Sequence, residues 1–452
     1  MLKSLGFRIW DYDLGNNTNQ WDSSIYKTWY EDSASVFFSA PTFEGREDCD
    51  TLIIGGGLAG LSLFSMLSDQ KVDCILLEKK NIGSGASGIN GGFCTPGWSV
   101  GQLDLENRVG HEKANLLYSI SMTGFNWMEN LCKKIHPNIS QAKKGVLKAY
   151  YYEKKVELIR KLDEFNEKYS ASIQFLKREQ LFHHLRSPRY NCGSLDLQSF
   201  HFNPLNVMRS LATKAQIRTS KIFEGTAVEN MERCSTGFKA TTSSGGIVNA
   251  KRVVFCTGGD FSNIGLNSLD KKLFRLNTSI GVTEPLDKTF FEIISSDLAI
   301  HDDRRAGNYF RILPDNRLLW GRDIRAIKMP NKKEIIRGTK KDLKYFFPGK
   351  REFFEEMKFD YGWSGKLGYT SNFMPYIFTD KSDLYFLTGF GGHGMNAAPA
   401  AANIVKEAIL GDNSKMQIFE DFSPSWNGGL LGKYAAEIYI RWLKFCDYLN
   451  RM

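Results

Sequence analysis

Residues 49–78 read "CDTLIIGGGLAGLSLFSMLSDQKVDCILLE", and the fold follows from how this stretch changes its period. Thr51–Ile54 is a β-branched and aliphatic run that enters glycines. Small and apolar residues continue at helical spacing to Leu67, and a second apolar run ends at Glu78. Strand, helix, strand, with Gly55-x-Gly57-x-x-Gly60 at the first turn, predicts a dinucleotide-binding βαβ unit. Gly55 permits the tight turn, Gly57 lets a pyrophosphate approach the backbone, and Gly60 lets the helix pack on the strand. Glu78 would accept hydrogen bonds from both ribose hydroxyls and repel a 2′-phosphate.

Outward from this unit, "GSGASGINGG" at 83–92 leaves a backbone bare enough to wrap a flat ring system and a diphosphate. Near the other end, "GFGGHGMNAAPAAANIV" at 389–405 is a glycine turn followed by a small-residue helix. Such a turn aims amides and a helix dipole at something electron-rich. Between them the pattern is helical from about 101 to 135. The strand-like "GVLKAYYY" then precedes an amphipathic helix over Tyr150–Tyr169. Residues 225–259 predict two strands, a Ser-Gly-Gly turn, a third strand and a final buried strand entering glycines. Residues 270–327 predict aromatic strands, and amphipathic helices follow within Lys328–Arg351 and over Leu430–Leu449.

A chain of 452 residues predicts more than one domain. Its net charge of +9 reads as a solvated surface, densest between Lys328 and Arg351 and interleaved there with Ile335, Ile336, Leu343 and Phe346. The eight cysteines form no CxxC pair and no metal spacing, a reduced pattern that suits the cytoplasm. The N-terminus meets an acidic residue too soon for a signal peptide, and the apolar stretch Leu52–Leu67 is too short to span a bilayer. No Ser-His-Asp, paired-carboxylate or metal constellation competes with the nucleotide motif.

These motifs together resemble the FAD-dependent amine and amino-acid oxidases of the D-amino acid oxidase-like family. The motifs recur in order as "IIGGGLAGLS", "LEKKNIGSGASGINGG", "HFNP" (201–204), "RVVFCTGG", "VTEPL" (282–286), "YGWSGKLGYTSNFMPYI" and "YFLTGFGGHGMN". The first 47 residues and the C-terminal tail are most similar to the gamma-glutamylputrescine oxidase-like branch. The resemblance implies a mixed α/β (α+β) protein. A Rossmann-like FAD-binding domain of three-layer ββα architecture would carry an antiparallel-sheet substrate domain. The expected division is an N-terminal arm (1–47), a discontinuous FAD domain (48–140, 200–268 and 362–412), a substrate domain (141–199 and 269–361) and a tail with an amphipathic helix (413–452).

For FAD, the resemblance places Gly55, Gly57 and Gly60 at the diphosphate and Glu78 at the ribose. Lys79 would lie beside the adenosine, Ser84 and Ser87 near the diphosphate, and Asn90, Gly91 and Gly92 along the flavin. Val228 would meet the adenine, with Thr257 and Gly258 closing the same pocket. Gly391, Gly392, His393, Gly394 and Met395 would face the pyrimidine side of the ring. Two positions depart from the family: Ile89 stands where related chains carry Arg, and Lys366-Leu367 follow the Trp363-Ser364-Gly365 turn where amino-acid oxidases place a carboxylate-binding arginine.

The implied reaction moves a hydride from the carbon beside a neutral primary or secondary amine, such as that of a polyamine conjugate, to flavin N5. Oxygen or another acceptor would reoxidise the flavin. Lys366 and His393 are the candidate catalytic residues. Arg311, Arg322 and Arg325 with Tyr309, Trp320, Tyr361 and Trp363 are the candidate walls of the substrate cavity. The expected partner is a small-molecule amine, not a nucleic acid. Two other readings stay open: a flavin module acting on an amine carried by tRNA, and a non-catalytic flavoprotein serving assembly.

Overall fold

The computed structural model describes residues 27–449 apart from 153–154, 220, 260–268, 270, 288, 305–306 and 381. Most of the expected N-terminal arm (1–26), residues 260–268 of the expected FAD domain and the last three residues of the tail therefore lie outside the described residues.

Arg46–Ile54 and Cys74–Leu77 form parallel strands around the helix Leu58–Asp69, as the opening motif predicts. Parallel strands extend the sheet on both sides, with Ile222–Phe223 beyond Cys74–Leu77, and Ile247–Phe255 then Leu384–Thr388 on the other flank. Tyr376–Thr379 closes that edge antiparallel. The strands are apolar on both faces because both are covered. Ile53, Leu76, Val254 and Leu387 meet the helices, whereas Leu52, Leu77, Val253 and Phe255 meet Val228, Phe238 and Ala240 of a meander. The result is the expected three layers of meander, sheet and helices. Ile247–Phe255 is one strand, not the two that the sequence suggests. One edge pairs parallel with Arg46–Ile54 along its length; on the other, the first half pairs with the meander strand Gly237–Thr242 and the second half with Leu384–Thr388.

The second sheet is largely antiparallel, ordered Phe359–Tyr369, Phe274–Thr283, Leu318–Arg325, Tyr309–Ile312, Ala299–Asp302, Lys143–Tyr150, Cys192–His201 and Phe93–Cys94. The strand Phe359–Tyr369 crosses the boundary expected at 361/362, and Cys192–His201 crosses the one at 199/200, so both boundaries fall inside strands of this sheet. One face packs on the helix Lys332–Phe346 through Leu318, Trp320 and Phe310; the other turns Leu319, Ile280 and Trp363 toward Ile89 and the glycine loops. Among the described residues no helix is long and apolar enough to cross a membrane.

Candidate functional site

The first glycine loop is built by close approach. Gly55 has φ +112°, and a Cβ there would lie 2.6 Å from the Cys256 carbonyl oxygen. A Cβ on Gly60 would lie 2.0 Å from the Gly55 carbonyl, so only glycine lets the helix sit on the turn. At Gly57 a side chain would meet only the Ser87 hydroxyl, and that hydroxyl accepts the Leu58 N–H at 2.9 Å. The 83–92 loop thereby supplies the helix cap that Gly57 lacks. The Glu78 carboxylate accepts the Gly56 N–H at 2.6 Å and the Lys80 N–H at 2.9 Å. Burial raises its pKa and these two hydrogen bonds oppose the rise. Lys79 is exposed beside it. Gly225 and Thr226 donate to the Lys80 and Glu78 carbonyls, which ties the segment leading into Val228 to the end of Cys74–Leu77.

In the second loop Ser84 and Ser87 are half-buried, and Asn90 folds its own turn. Its amide donates to the Ala86 and Ser87 carbonyls and its oxygen accepts the Gly92 N–H at 2.7 Å. Behind the loop lies Arg311, 1% exposed. It donates to the Phe202 carbonyl at 2.9 Å and to the Tyr30 hydroxyl at 3.2 Å, and it lies 3.2 Å from His201 Nδ1. A Cβ on Gly92 would come within 3.2 Å of the guanidinium. Among the described residues no carboxylate pairs with it. Burial, then the Arg311 charge, holds the His201 imidazole at about 3.

The late loop carries Gly391 and Gly392 at φ +58° and +79°, and Gly392 is exposed next to the buried Gly391. The helix Gly394–Ile409 starts at His393 with no side-chain cap. His393 Nε2 lies 3.2 Å from both the Thr95 and Pro96 carbonyls, so it is the protonated ring nitrogen and the residue staples this loop to the segment after Phe93–Cys94. Burial lowers the pKa of this imidazole. The Asn90 amide reaches Met395 Sδ at 3.7 Å and joins the two loops. Nearby, Thr257 buries a hydroxyl without a partner, and Gly258, at φ +65°, faces open space. A cradle of bare backbone, an orphaned buried hydroxyl and a carboxylate at the end of the second strand fit an extended dinucleotide such as FAD. Among the described residues no cluster suits a metal ion.

Strand alternation divides the expected cavity residues. Tyr309, Arg311 and Trp363 stand on the face toward the loops. Trp320 does not: it stacks on Phe310 at 4.4 Å on the far face, fully buried. Arg322 is on that face too, bonded to Asp342 at 2.7 Å. Arg325 pairs with Asp323, and Tyr361 donates to Asp32. Trp363 spends its indole N–H on the Ile89 carbonyl at 2.9 Å. Lys366 shares its side of the strand with Ser364, opposite Trp363, Gly365, Leu367 and Tyr369, of which Leu367 and Tyr369 approach Gly392.

Directly opposed residues instead make one row across the loop-facing side: Lys148, His301, Tyr309, Gly321, Ile280 and Trp363. Sequence reading missed Lys148 and His301, although "GVLKAYY" sets one lysine into an apolar run and "AIHDD" opens its polar run on a histidine. Burial, then the Lys148 charge, holds His301 at about 3, and His393 acts in the same direction. The row therefore reaches the late loop. Tyr309 packs against Gly91 and Phe93, and burial pushes Tyr369 up to about 12.

Comparison with known proteins agrees with this geometry. The chain is 28% identical to a probable oxidoreductase OrdL of Haemophilus influenzae, over 93% of this chain and 97% of that one. It is 25% identical to gamma-glutamylputrescine oxidoreductase of Escherichia coli, over 87% and 91% of the two chains. Glycine oxidase from Geobacillus kaustophilus shares the fold, with a TM-score of 0.65, 17% identity and coverage of 80% of this chain and 95% of that one. Residues 50–408 match the family of FAD dependent oxidoreductases called DAO, and the chain belongs to that family.

Proposed function

We propose that this FAD-dependent oxidoreductase oxidises a primary or secondary amine whose substrate also carries a carboxylate, as in a gamma-glutamylated amine. The observation that carries this reading is the row Lys148–His301–Tyr309 on the loop-facing side of the second sheet. Bound FAD supplies a hydride acceptor for the carbon beside the amine nitrogen, leaving an imine that water hydrolyses.

The chain's own residues supply orientation and charge. Lys148 holds the distal carboxylate, so the amine is placed by the length of the molecule between them. His301 and His393 stay neutral, held so by burial, and add no charge beside the amine. Tyr309 and Phe93 wall the site with apolar surface and exclude water from the reacting carbon. The uncapped amides after His393 and the cation of Arg311 favour negative charge on the cofactor ring. Oxygen or another acceptor completes the cycle. Eight free cysteines accord with a cytoplasmic location.

The gamma-glutamylputrescine oxidoreductase relative supports the substrate class. The test is anaerobic bleaching of the yellow holoprotein by a panel of amines. Gamma-glutamylated amines should bleach faster than the parent diamines, and a panel in which no amine bleaches the flavin would defeat the proposal.

A further inference from the structure

The helix Gly429–Leu449 is docked the wrong way round for a solvated helix. A surface helix ordinarily turns its apolar stripe inward. Here Ile440 is the buried apolar residue, and the other inward attachments are made by charged side chains. Glu437 accepts the Ala326 N–H at 2.8 Å, Lys444 pairs with Asp323 and donates to the Ile324 carbonyl at 3.0 Å, and Asp447 accepts the Tyr152 hydroxyl at 2.6 Å. The apolar stripe faces out: Leu431 is 79% exposed, Ile438 68% and Trp442 56%, with Tyr434, Tyr439 and Phe445 along the same side. The side chains that would solvate this helix are used to attach it.

A cationic row runs beside the stripe. Lys333, Arg337 and Lys341 recur every four residues on the helix Lys332–Phe346 and are all exposed. Arg337 and Lys341 share a cavity of about 680 Å³ with Lys444 and Phe445 of the C-terminal helix, so the two helices flank one groove. Among the described residues neither Arg337 nor Lys341 has an acidic partner.

We propose that this apolar stripe and the adjoining cationic row dock the protein on the surface of a bilayer containing anionic phospholipid. Trp and Tyr beside aliphatic side chains suit the boundary between headgroups and acyl chains, and Lys and Arg alongside suit anionic headgroups. Charge complementarity selects this occupant over a second copy of the chain, which would bring the same uncompensated row and the same net charge of +9. The helix lies on the membrane and does not cross it.

The test is co-sedimentation of the holoprotein with vesicles of phosphatidylcholine, with and without phosphatidylglycerol, alongside analytical ultracentrifugation without vesicles. The wild type should pellet with the phosphatidylglycerol vesicles, less as salt is added, and stay in solution with phosphatidylcholine alone. Ile438→Glu with Trp442→Glu should abolish pelleting. Lys333→Glu, Arg337→Glu and Lys341→Glu together should weaken it about a hundredfold. Both variants should keep the flavin absorbance, since every substituted side chain is exposed. Wild type that stays in solution with anionic vesicles overturns the proposal, as does pelleting that neither variant set alters. A dimer in free solution that Ile438→Glu and Trp442→Glu convert to monomer overturns it too, and assigns the stripe to a second copy.

Discussion

At the scale of single residues, the two cations on the loop-facing side differ in what they touch. Lys148 opposes His301 in the sheet, and Arg311 is sealed behind Gly92. Lys148→Met should raise KM about tenfold or more for carboxylate-bearing amines and leave amines without a carboxylate unchanged, measured by steady-state kinetics on matched substrates. Arg311→Met should act on the cofactor. Sulfite adds to an oxidised flavin more tightly where positive charge is near, so its affinity should fall about tenfold in a spectrophotometric titration. Arg311 would then supply the cation that the family places where this chain has Ile89. His201 adds a stability effect whose sign is fixed. Its folded pKa of about 3 lies below the ordinary value, so stability is full above about pH 6.5 and is lost as pH falls toward 3. Between pH 7 and 5 the urea midpoint should drop, and His201→Asn should remove up to one proton from that slope.

At the scale of elements, the glycines and the period of the opening βαβ unit were legible because local sterics dictate them. The face to which a strand residue points was not. Trp320 and Tyr309 are both aromatic, on neighbouring strands, yet they stand on opposite sides of the sheet. Alternation predicts two faces, and only the packing of the whole sheet says which face meets the loops. The same limit hid Lys148 and His301. Strand pairing is equally hard to read ahead: Phe359–Tyr369 runs across the expected 361/362 boundary, with Tyr361 and Gly362 both paired to Phe274–Thr283. Helix contacts were equally illegible. Gly124 lies midway along His111–Lys134, and a Cβ there would sit 2.0 Å from the Asn396 carbonyl of the late helix. Gly124→Val should cost about 3 kcal/mol by urea unfolding and shift the helix that carries His393, so the retained flavin should be more easily released.

At the scale of the molecule, the described end of the N-terminal segment ties the second sheet and the helix Pro204–Thr219 to the 83–92 loop. Trp29 donates to Asp315 at 2.7 Å, Glu31 takes Arg209 through both carboxylate oxygens, and Asp32 accepts Tyr361. Tyr30 is the centre of this clasp, fully buried, edge-on to Trp363, its hydroxyl donating to the Asn90 carbonyl at 2.7 Å and accepting from Arg311. Two contributions can be separated by substitution. Tyr30→Phe removes only the hydroxyl, which leaves Asn90 and Arg311 each short of a partner in a buried setting, a cost of about 2 kcal/mol. Tyr30→Ala also empties the space between Trp29 and Trp363 and should cost about 4 kcal/mol. If the hydroxyl positions the 83–92 loop through Asn90, and that loop holds FAD, both variants should raise the FAD dissociation constant, measured by fluorescence recovery on dilution. If the ring acts only as packing, Tyr30→Phe should bind FAD like the wild type, and the clasp would belong to the packing of the second sheet alone.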